Sequence, residues 1–344
     1  MKKLLNTLYV TKPETFLALE NETVLVKEND EILLRVPLLN LEGIVHFGYT
    51  IGASPALMAE CTKRNIALTF LTENGKFLAS IIGESKGNVT LRKEQYRISD
   101  DTQRNCVYAR IFVFGKLHNA KWVLERATRD YELRIDTEAV KKESAQISEA
   151  MKQTLDCTDV DYLRAIEGNA AQSYFRVFNE LILQNKEFFK FDGRNRRPPT
   201  DPINALLSFA YVLLAADCRH ALETVGLDAF VGFMHKDRPG RASLALDLME
   251  ELRAPFADRF VLSLINRQEI NPKDFRITES GAVLLTDDAK KKFLSAWQNK
   301  KKEVITHPFL EEKIEWGIVP HAQALLLART IRGDLEAYPV FLWK

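Results

Sequence analysis

The apolar residues of this chain change their spacing partway along, and that switch limits the fold more than any other feature. Over the first third, apolar and polar residues alternate with a period of two, so that Thr15 to Leu19, Thr23 to Lys27 and Ile32 to Val36 read as strands, parted by turn signals at Glu20-Asn21 and Asn29-Asp30. A short amphipathic helix is expected near Ser54 to Arg64, then a strand at Ala67 to Leu71, an Asn74-Gly75 turn and a strand at Lys76 to Ile82. Beyond the polar stretch Gly83 to Lys93 the spacing becomes helical. Asp101 can cap a helix through the 110s, and Asp201-Pro202 makes an N-cap and first-turn pair opening an apolar helix that ends at Gly226. Tyr162 to Gln184, Ser243 to Phe256 and Pro320 to Ile331 supply further helices. A period of two buries one face of a sheet and a period of 3.6 buries one stripe of a helix, so the two parts need different layers. The expected class is α+β: an N-terminal β-sandwich-like sheet domain over residues 1–83, a linker over 84–95 and a larger all-α catalytic domain over 96–344. With 344 residues, 46% of them hydrophobic, length also suggests two domains.

Chemistry concentrates in Phe230 to Arg253, FVGFMHKDRPGRASLALDLMEELR, where one histidine in a Gly/Pro-bounded loop precedes two carboxylates on one helix face. With Ser243 as N-cap and roughly 100° per residue, Ser243, Asp247, Glu250, Glu251 and Ala254 share one arc, while Leu244, Leu246, Leu248, Met249 and Leu252 cover the remainder. Asp247 and Glu250, at i and i+3, repel when both are ionised, and a divalent cation relieves such a pair. The competing reading makes the acids a solvated stripe and His235 an ordinary loop residue. Upstream, in DVDYLRAIEGNAAQSYFRVFNELIL, Glu167 is flanked by Gly168, Ala170 and Ala171. A helical glycine costs about 1 kcal/mol relative to alanine, so Gly168 suggests close approach by a ligand or another backbone. Alternatively, Glu167 pairs with Arg164 and Gly168 serves tight helix packing.

Several function classes drop out. There is no Walker motif, dinucleotide-binding glycine fingerprint, internal repeat or coiled-coil heptad, which argues against ATP and nicotinamide chemistry. Cys61, Cys106, Cys157 and Cys218 form no C-x-x-C pair and read as small core residues. No apolar run is expected to span a membrane, and the start MKKLLNTLYVTKPETF has no sustained apolar core or cleavage site, so a cytoplasmic location is expected. A net charge of +1 does not announce a nucleic-acid binder, yet the basic residues cluster. Arg194, Arg196 and Arg197 precede Pro198-Pro199, and Lys236, Arg238 and Arg241 surround the histidine loop. Lys290, Lys291, Lys292, Lys300, Lys301 and Lys302 mark a later region that reads as a solvated face. Guanidinium groups grip two phosphate oxygens at once, which makes Arg164, Arg196, Arg197, Arg238, Arg241 and Arg253 the candidate contacts to DNA phosphate, with helix solvation the simpler alternative for Arg253.

The blocks IEGNAAQSYF, NRRPPTDPINALLSFAYVLL and GFMHKDRPGRASLALDLMEELR, with LLNLEGIVHFG and GASPALMAECTKRNIALTFLTENGKFLASIIG before them, resemble the CRISPR-associated spacer integrase, the first Cas protein of the adaptation stage of antiviral defence. The resemblance runs over essentially the whole chain, and the subtype is similar to I-C. It implies that Glu167, His235 and Glu250 are the catalytic residues and hold a Mg²⁺ or Mn²⁺ ion. Asp247 matches a further acidic position that could orient a metal-bound water, support a ligand or bind a second ion. The implied reaction is insertion of captured DNA fragments as new spacers, a 3′ hydroxyl attacking a phosphate at the edge of a CRISPR repeat. The implied assembly is a homodimer with a small companion adaptation protein of ferredoxin-like fold. A general metal-dependent nuclease of branched or single-stranded DNA, and a non-catalytic DNA-binding scaffold, are the competing readings.

Overall fold

The computed structural model describes residues 6–50, 52–72, 77–81, 89–195 and 198–343, which cluster into two compact units. The first takes in the described part of Met1–Lys86 together with Thr286–Glu303 and Glu315–Ile318. Strands β1 (Thr7–Val10), β5 (Gly43–Phe47) and β6 (Ala67–Leu71) run parallel and β7 (Phe77–Ile81) closes them antiparallel, in the order β1-β5-β6-β7. A second, antiparallel sheet is formed by β2 (Phe16–Glu20), β3 (Thr23–Glu28) and β4 (Glu31–Pro37). Its hairpins turn on two residues each, Asn21-Glu22 (φ 46° and 61°) and Asn29-Asp30 (φ 45° and 65°), the double left-handed geometry that matches strand twist. Helix α1 (Pro55–Lys63) is capped by Ser54, whose Oγ accepts from the Leu57 amide at 3.2 Å. Leu17, Val24, Ile44, Leu57 and Leu68, from both sheets and α1, meet in one fully buried core. The alternation read from the sequence places the strands but is not a burial pattern: Val24, Leu25 and Val26 of β3 are all buried, while Ile32, Leu33 and Leu34 of β4 are exposed. The strand pairs β1 and β5 are additions to the sequence reading, and the Asn74-Gly75 turn lies outside the described residues.

Helix α9 (Asp287–Lys302) also groups with this unit, although it is far from residues 6–81 in the chain. Its lysines are not simply a solvated face. Lys290 and Lys301 are buried with Phe293, Leu294 and Trp297, while Lys291, Lys292 and Lys302 are exposed, because a lysine stem can lie along apolar surface with its charged end at the rim.

The second unit holds Gly87–Leu285, Val304–Ile314 and Val319–Lys344. Its helices are α2 (Val89–Asp100), α3 (Thr102–Asp130), α4 (Thr137–Leu155), α5 (Val160–Arg176), α6 (Pro202–Thr224), α7 (Ser243–Leu252), α8 (Arg259–Asn266) and α10 (Val319–Ile331). The mixed α+β class holds, but this unit is not wholly helical: β8 (Phe275–Ile277) pairs with β9 (Val283–Leu285) around a turn whose Gly281 takes φ 78°. Residues 89–95 already belong to α2 and not to a linker, with Leu91 and Gln95 buried on its inner face. Asp101 and Asp201 cap α3 and α6 as expected, each carboxylate accepting from backbone amides of the first turn. Contrary to the sequence reading, α6 is long and apolar enough to cross a bilayer; in the fold, Ile203, Leu206, Leu207, Ala210 and Leu214 are buried core. The four cysteines are buried free thiols. α3 is the axis of the site, since α4, α5 and α7 all pack against it.

Candidate active site

Ser243 is the first residue of α7 and not its cap; its Oγ donates to the Lys236 carbonyl at 3.2 Å, tying the helix to the preceding loop. The three acids of α7 are all buried, Asp247 at 0%, Glu250 at 3% and Glu251 at 0% exposure, which removes the solvated-stripe reading. Burial of three carboxylates is tolerated only where each finds hydrogen bonds or counter-charge. Each finds a different set.

Asp247 organises the histidine loop. Its Oδ2 accepts from the Phe233 and Met234 amides at 2.7 and 3.1 Å, and its Oδ1 from the His235 amide at 3.1 Å and the His235 ring Nδ1 at 2.6 Å. An ionised carboxylate can only accept, so Nδ1 is the donor, and in the neutral ring this tautomer leaves the lone pair on Nε2. The loop reaches this position because residue 232 is glycine: a Cβ there would lie 2.8 Å from the Ser243 Cβ and 2.9 Å from Asp247 Oδ2. From the other side, Gln95 of α2 donates to the Asp228 and Val231 carbonyls, both at 2.8 Å, and Ser99 donates to the Gly232 carbonyl at 3.1 Å.

Glu250 meets Glu167 through a residue the sequence reading passed over. Lys116, on α3, places its ammonium against Glu167 Oε1 and 2.7 Å from Glu250 Oε2. Glu250 Oε1 accepts from Arg253 at 2.7 Å, and that guanidinium lies 4.3 Å from the centre of the Tyr211 ring. Burial alone would raise the Glu250 pKa, but Arg253 and Lys116, with His235 near enough to contribute, hold it well below the usual carboxylate range. Tyr211 in turn donates to Asp258 at 2.5 Å, completing a buried polar backing to the site. Glu167 does not pair with Arg164, which instead meets Asp161 and donates to the Met234 carbonyl at 2.7 Å. Nor does Gly168 serve helix packing, since a Cβ there would meet nothing within 4 Å; the space beside Glu167 is open.

The donor set fits a hard divalent cation: two carboxylates already drawn to one positive charge, beside an imidazole with a free Nε2 lone pair. As they stand, no three His, Cys, Asp or Glu side chains converge tightly enough to make a finished cage among the described residues, because an ammonium bridges the two glutamates. The signal for Lys116 was present in the sequence. It occupies the apolar stripe of α3 that includes Phe112, Val113, Leu117 and Ala120, where a lysine needs a partner.

Glu251 faces away, toward Tyr338 to Trp343. It accepts from Tyr338 Oη and the Phe341 amide, each at 2.5 Å, and from Gln323 at 2.9 Å. Burial outweighs these bonds and pushes its carboxyl up to about 7. Beyond it the helix widens into a π turn over Arg253–Asp258 where an ordinary helix was expected. Pro255 has no amide proton to offer the Glu251 carbonyl, and Asn119 takes that place, its Nδ2 lying 2.6 Å from the carbonyl oxygen. The same Asn119 binds the Phe341 carbonyl at 2.7 Å and accepts from the Trp343 amide at 2.8 Å.

Of the candidate phosphate contacts, Arg238 is exposed and Arg241 half-buried on the histidine loop, and Arg164 stands at the loop's edge. Arg253, only 9% exposed, is turned inward against Glu250, which counts against both the surface-solvation and the outward-contact expectations for it. Arg194 turns inward to Asn204, Ser208 and the Tyr211 ring. Arg196 and Arg197 lie outside the described residues.

Comparison with known proteins shows the family. The family model "CRISPR associated protein Cas1" matches residues 8–299. The chain is 48% identical over 344 residues to CRISPR-associated endonuclease Cas1 1 of Chlorobaculum tepidum, covering 100% of both chains. Among solved structures, the fold is similar to a casposase bound to an integration product, with TM-score 0.84, 24% identity and coverage of 98% of this chain and 94% of that one. It is also similar to part of a Cas6-RT-Cas1–Cas2 complex, with TM-score 0.81, 20% identity and coverage of 100% of this chain and 36% of that one.

Proposed function

The chain belongs to the Cas1 family of CRISPR-associated proteins, and on that premise we propose that it is a metal-dependent DNA endonuclease and integrase that inserts captured fragments as spacers into a CRISPR array. The observation that carries this reading is the arrival of Glu167 from α5 and Glu250 from α7 at one shared positive charge, beside a histidine whose Nε2 is left free. Glu167, His235 and Glu250 are the proposed ligands of Mg²⁺ or Mn²⁺, the imidazole donor suiting Mn²⁺ as well as Mg²⁺. A divalent ion there would supply charge neutralisation at a phosphate and favour deprotonation of an attacking oxygen.

The chain's own groups do the rest. Asp247 holds the histidine tautomer and ring orientation, and Arg253 keeps Glu250 ionised. Arg238 and Arg241 stand where a DNA backbone can be gripped, with Arg164 at the edge of the same loop. In the reaction, a 3′ hydroxyl of the fragment attacks a phosphate at the repeat edge; one P–O bond forms, another breaks, and a new 3′ hydroxyl leaves with the displaced strand. One phosphodiester replaces another, so no nucleotide hydrolysis is required. A cytoplasmic homodimer working with a small ferredoxin-like companion, and an I-C type system, complete the proposal on the strength of family membership.

The test is to incubate the protein, with and without a companion adaptation protein, with fragment DNA and a supercoiled repeat-containing plasmid, and to sequence the junctions. Fragments joined at repeat edges are expected. Broken strands with 5′ phosphates and no joints would move the assignment to a general nuclease, and absence of any metal-dependent product would leave a DNA-binding scaffold.

A further inference from the structure

We infer that Lys116 is a built-in counter-ion of the metal site: its ammonium holds Glu167 and Glu250 together before a divalent cation arrives, and it is exchanged for that cation on loading. The inference rests on the metal reading above and adds a step to it. Lys116 reaches the site along the mostly apolar inner stripe of α3, so its charge was carried into the interior at a cost that the two carboxylates offset. Its contact with Glu250 is electrostatic more than directional. The ammonium lies 2.7 Å from Oε2 at a poor angle for a hydrogen bond, so charge attraction carries most of the contact, and a spherical cation can supply the same attraction.

Of the two cations on Glu250, Lys116 is the one built to leave. Arg253 is locked between the Glu250 carboxylate and the Tyr211 ring, whereas a lysine has a flexible four-carbon stem and a point charge with rotatable donors. Charge balance favours exchange over addition. Glu167, Asp247 and Glu250 contribute −3, Lys116 and Arg253 +2, leaving −1; adding a divalent ion alone gives +1, while exchanging it for the ammonium gives 0. Glu167, the more exposed of the two ligands, is the side from which the ion arrives.

The experiment compares the full-length protein with its Lys116→Met and Lys116→Gln variants, titrating Mn²⁺ alone by calorimetry and recording thermal unfolding with and without Mn²⁺. Removing the competitor should tighten Mn²⁺ binding by about tenfold or more, the scale of one lost ion-pair contact. The metal-free variants should melt below the wild type and gain more from Mn²⁺ than it does. Lys116→Gln keeps a donor for the carboxylates, so it reports on competition if the methionine variant does not fold without metal. Wild-type protein that binds Mn²⁺ with variants that bind it no tighter would overturn the exchange and leave the metal site standing. Failure of wild type and both variants to bind Mn²⁺ would overturn the metal reading and the exchange together.

Discussion

Replacing Asp247 by asparagine exchanges one oxygen for an NH₂ group and reverses the polarity of half of the cluster around it. The carboxylate accepts from three backbone amides and from His235 Nδ1, at 2.6 to 3.1 Å. If the amide oxygen keeps the Phe233 and Met234 bonds, its NH₂ faces the His235 amide and ring. One buried N–H then goes unsatisfied, at about 1–3 kcal/mol, and the charge-assisted character of the remaining bonds is lost, so the variant should be less stable by about 3 kcal/mol. The sharper effect is on the ring. Nδ1 must now accept, its proton moves to Nε2, and the lone pair proposed to bind the metal is gone. Restoring that tautomer costs binding energy, and loss of such a supporting partner weakens metal affinity by about 10- to 100-fold. Urea denaturation gives the stability, calorimetric Mn²⁺ titration the affinity, and ring ¹⁵N shifts the tautomer. Wild-type Mn²⁺ affinity with an unmoved Nδ1 proton would refute the reasoning.

Glu167→Ala, His235→Ala and Glu250→Ala should each abolish DNA joining in the plasmid assay, but they should differ in urea: Glu250→Ala strands the buried Arg253 and leaves Lys116 to Glu167 alone, and should cost about 3–5 kcal/mol, while the other two cost far less. Glu251, raised to about 7 in the fold against about 4.5 unfolded, contributes stability that is fully present below the unfolded value and lost as pH rises toward and through the folded one; the loss amounts to about 3 kcal/mol, and Glu251→Gln should flatten that slope in urea midpoints taken from pH 5 to 8. Neutralising Arg238 and Arg241 together should make the salt dependence of duplex DNA binding shallower, by about 0.9 in log-log slope for each phosphate contact removed; an unchanged slope and affinity would return them to ordinary loop charges.

What was legible in the sequence followed from local rules. Period-two alternation marks β2, β3 and β4, amphipathic spacing marks α1 and side-chain caps mark α3 and α6, because each depends on neighbours a few residues away. The acids of α7 were legible as a common arc, but their separate destinations were not: Asp247 serves the loop before it, Glu250 a lysine on α3, and Glu251 a segment near position 340. Lys116 escaped notice because a lysine in a long amphipathic helix reads as surface until the fold shows which stripe it occupies. Arg253 escaped for the opposite reason, being one turn beyond Glu250 at a spacing that suits either a pair or a solvated charge. The π turn depended on Pro255 being answered by Asn119, a tertiary fact.

That answer has a consequence for how the protein is made. Asn119 joins the Glu251 carbonyl, 132 positions away, to Phe341 and Trp343, 222 and 224 positions away. A ribosome that has delivered α7 has therefore produced every proposed ligand while leaving the Glu251 carboxylate without Gln323, Tyr338 and Phe341, and Asn119 with the Glu251 carbonyl alone among these partners. Closing such distant contacts is slow compared with forming a local helix. The last turn of α7 gains its full set of partners only after Tyr338 to Trp343 have emerged, so an enzyme that cuts DNA completes its working geometry with a segment made 90 residues after Glu251.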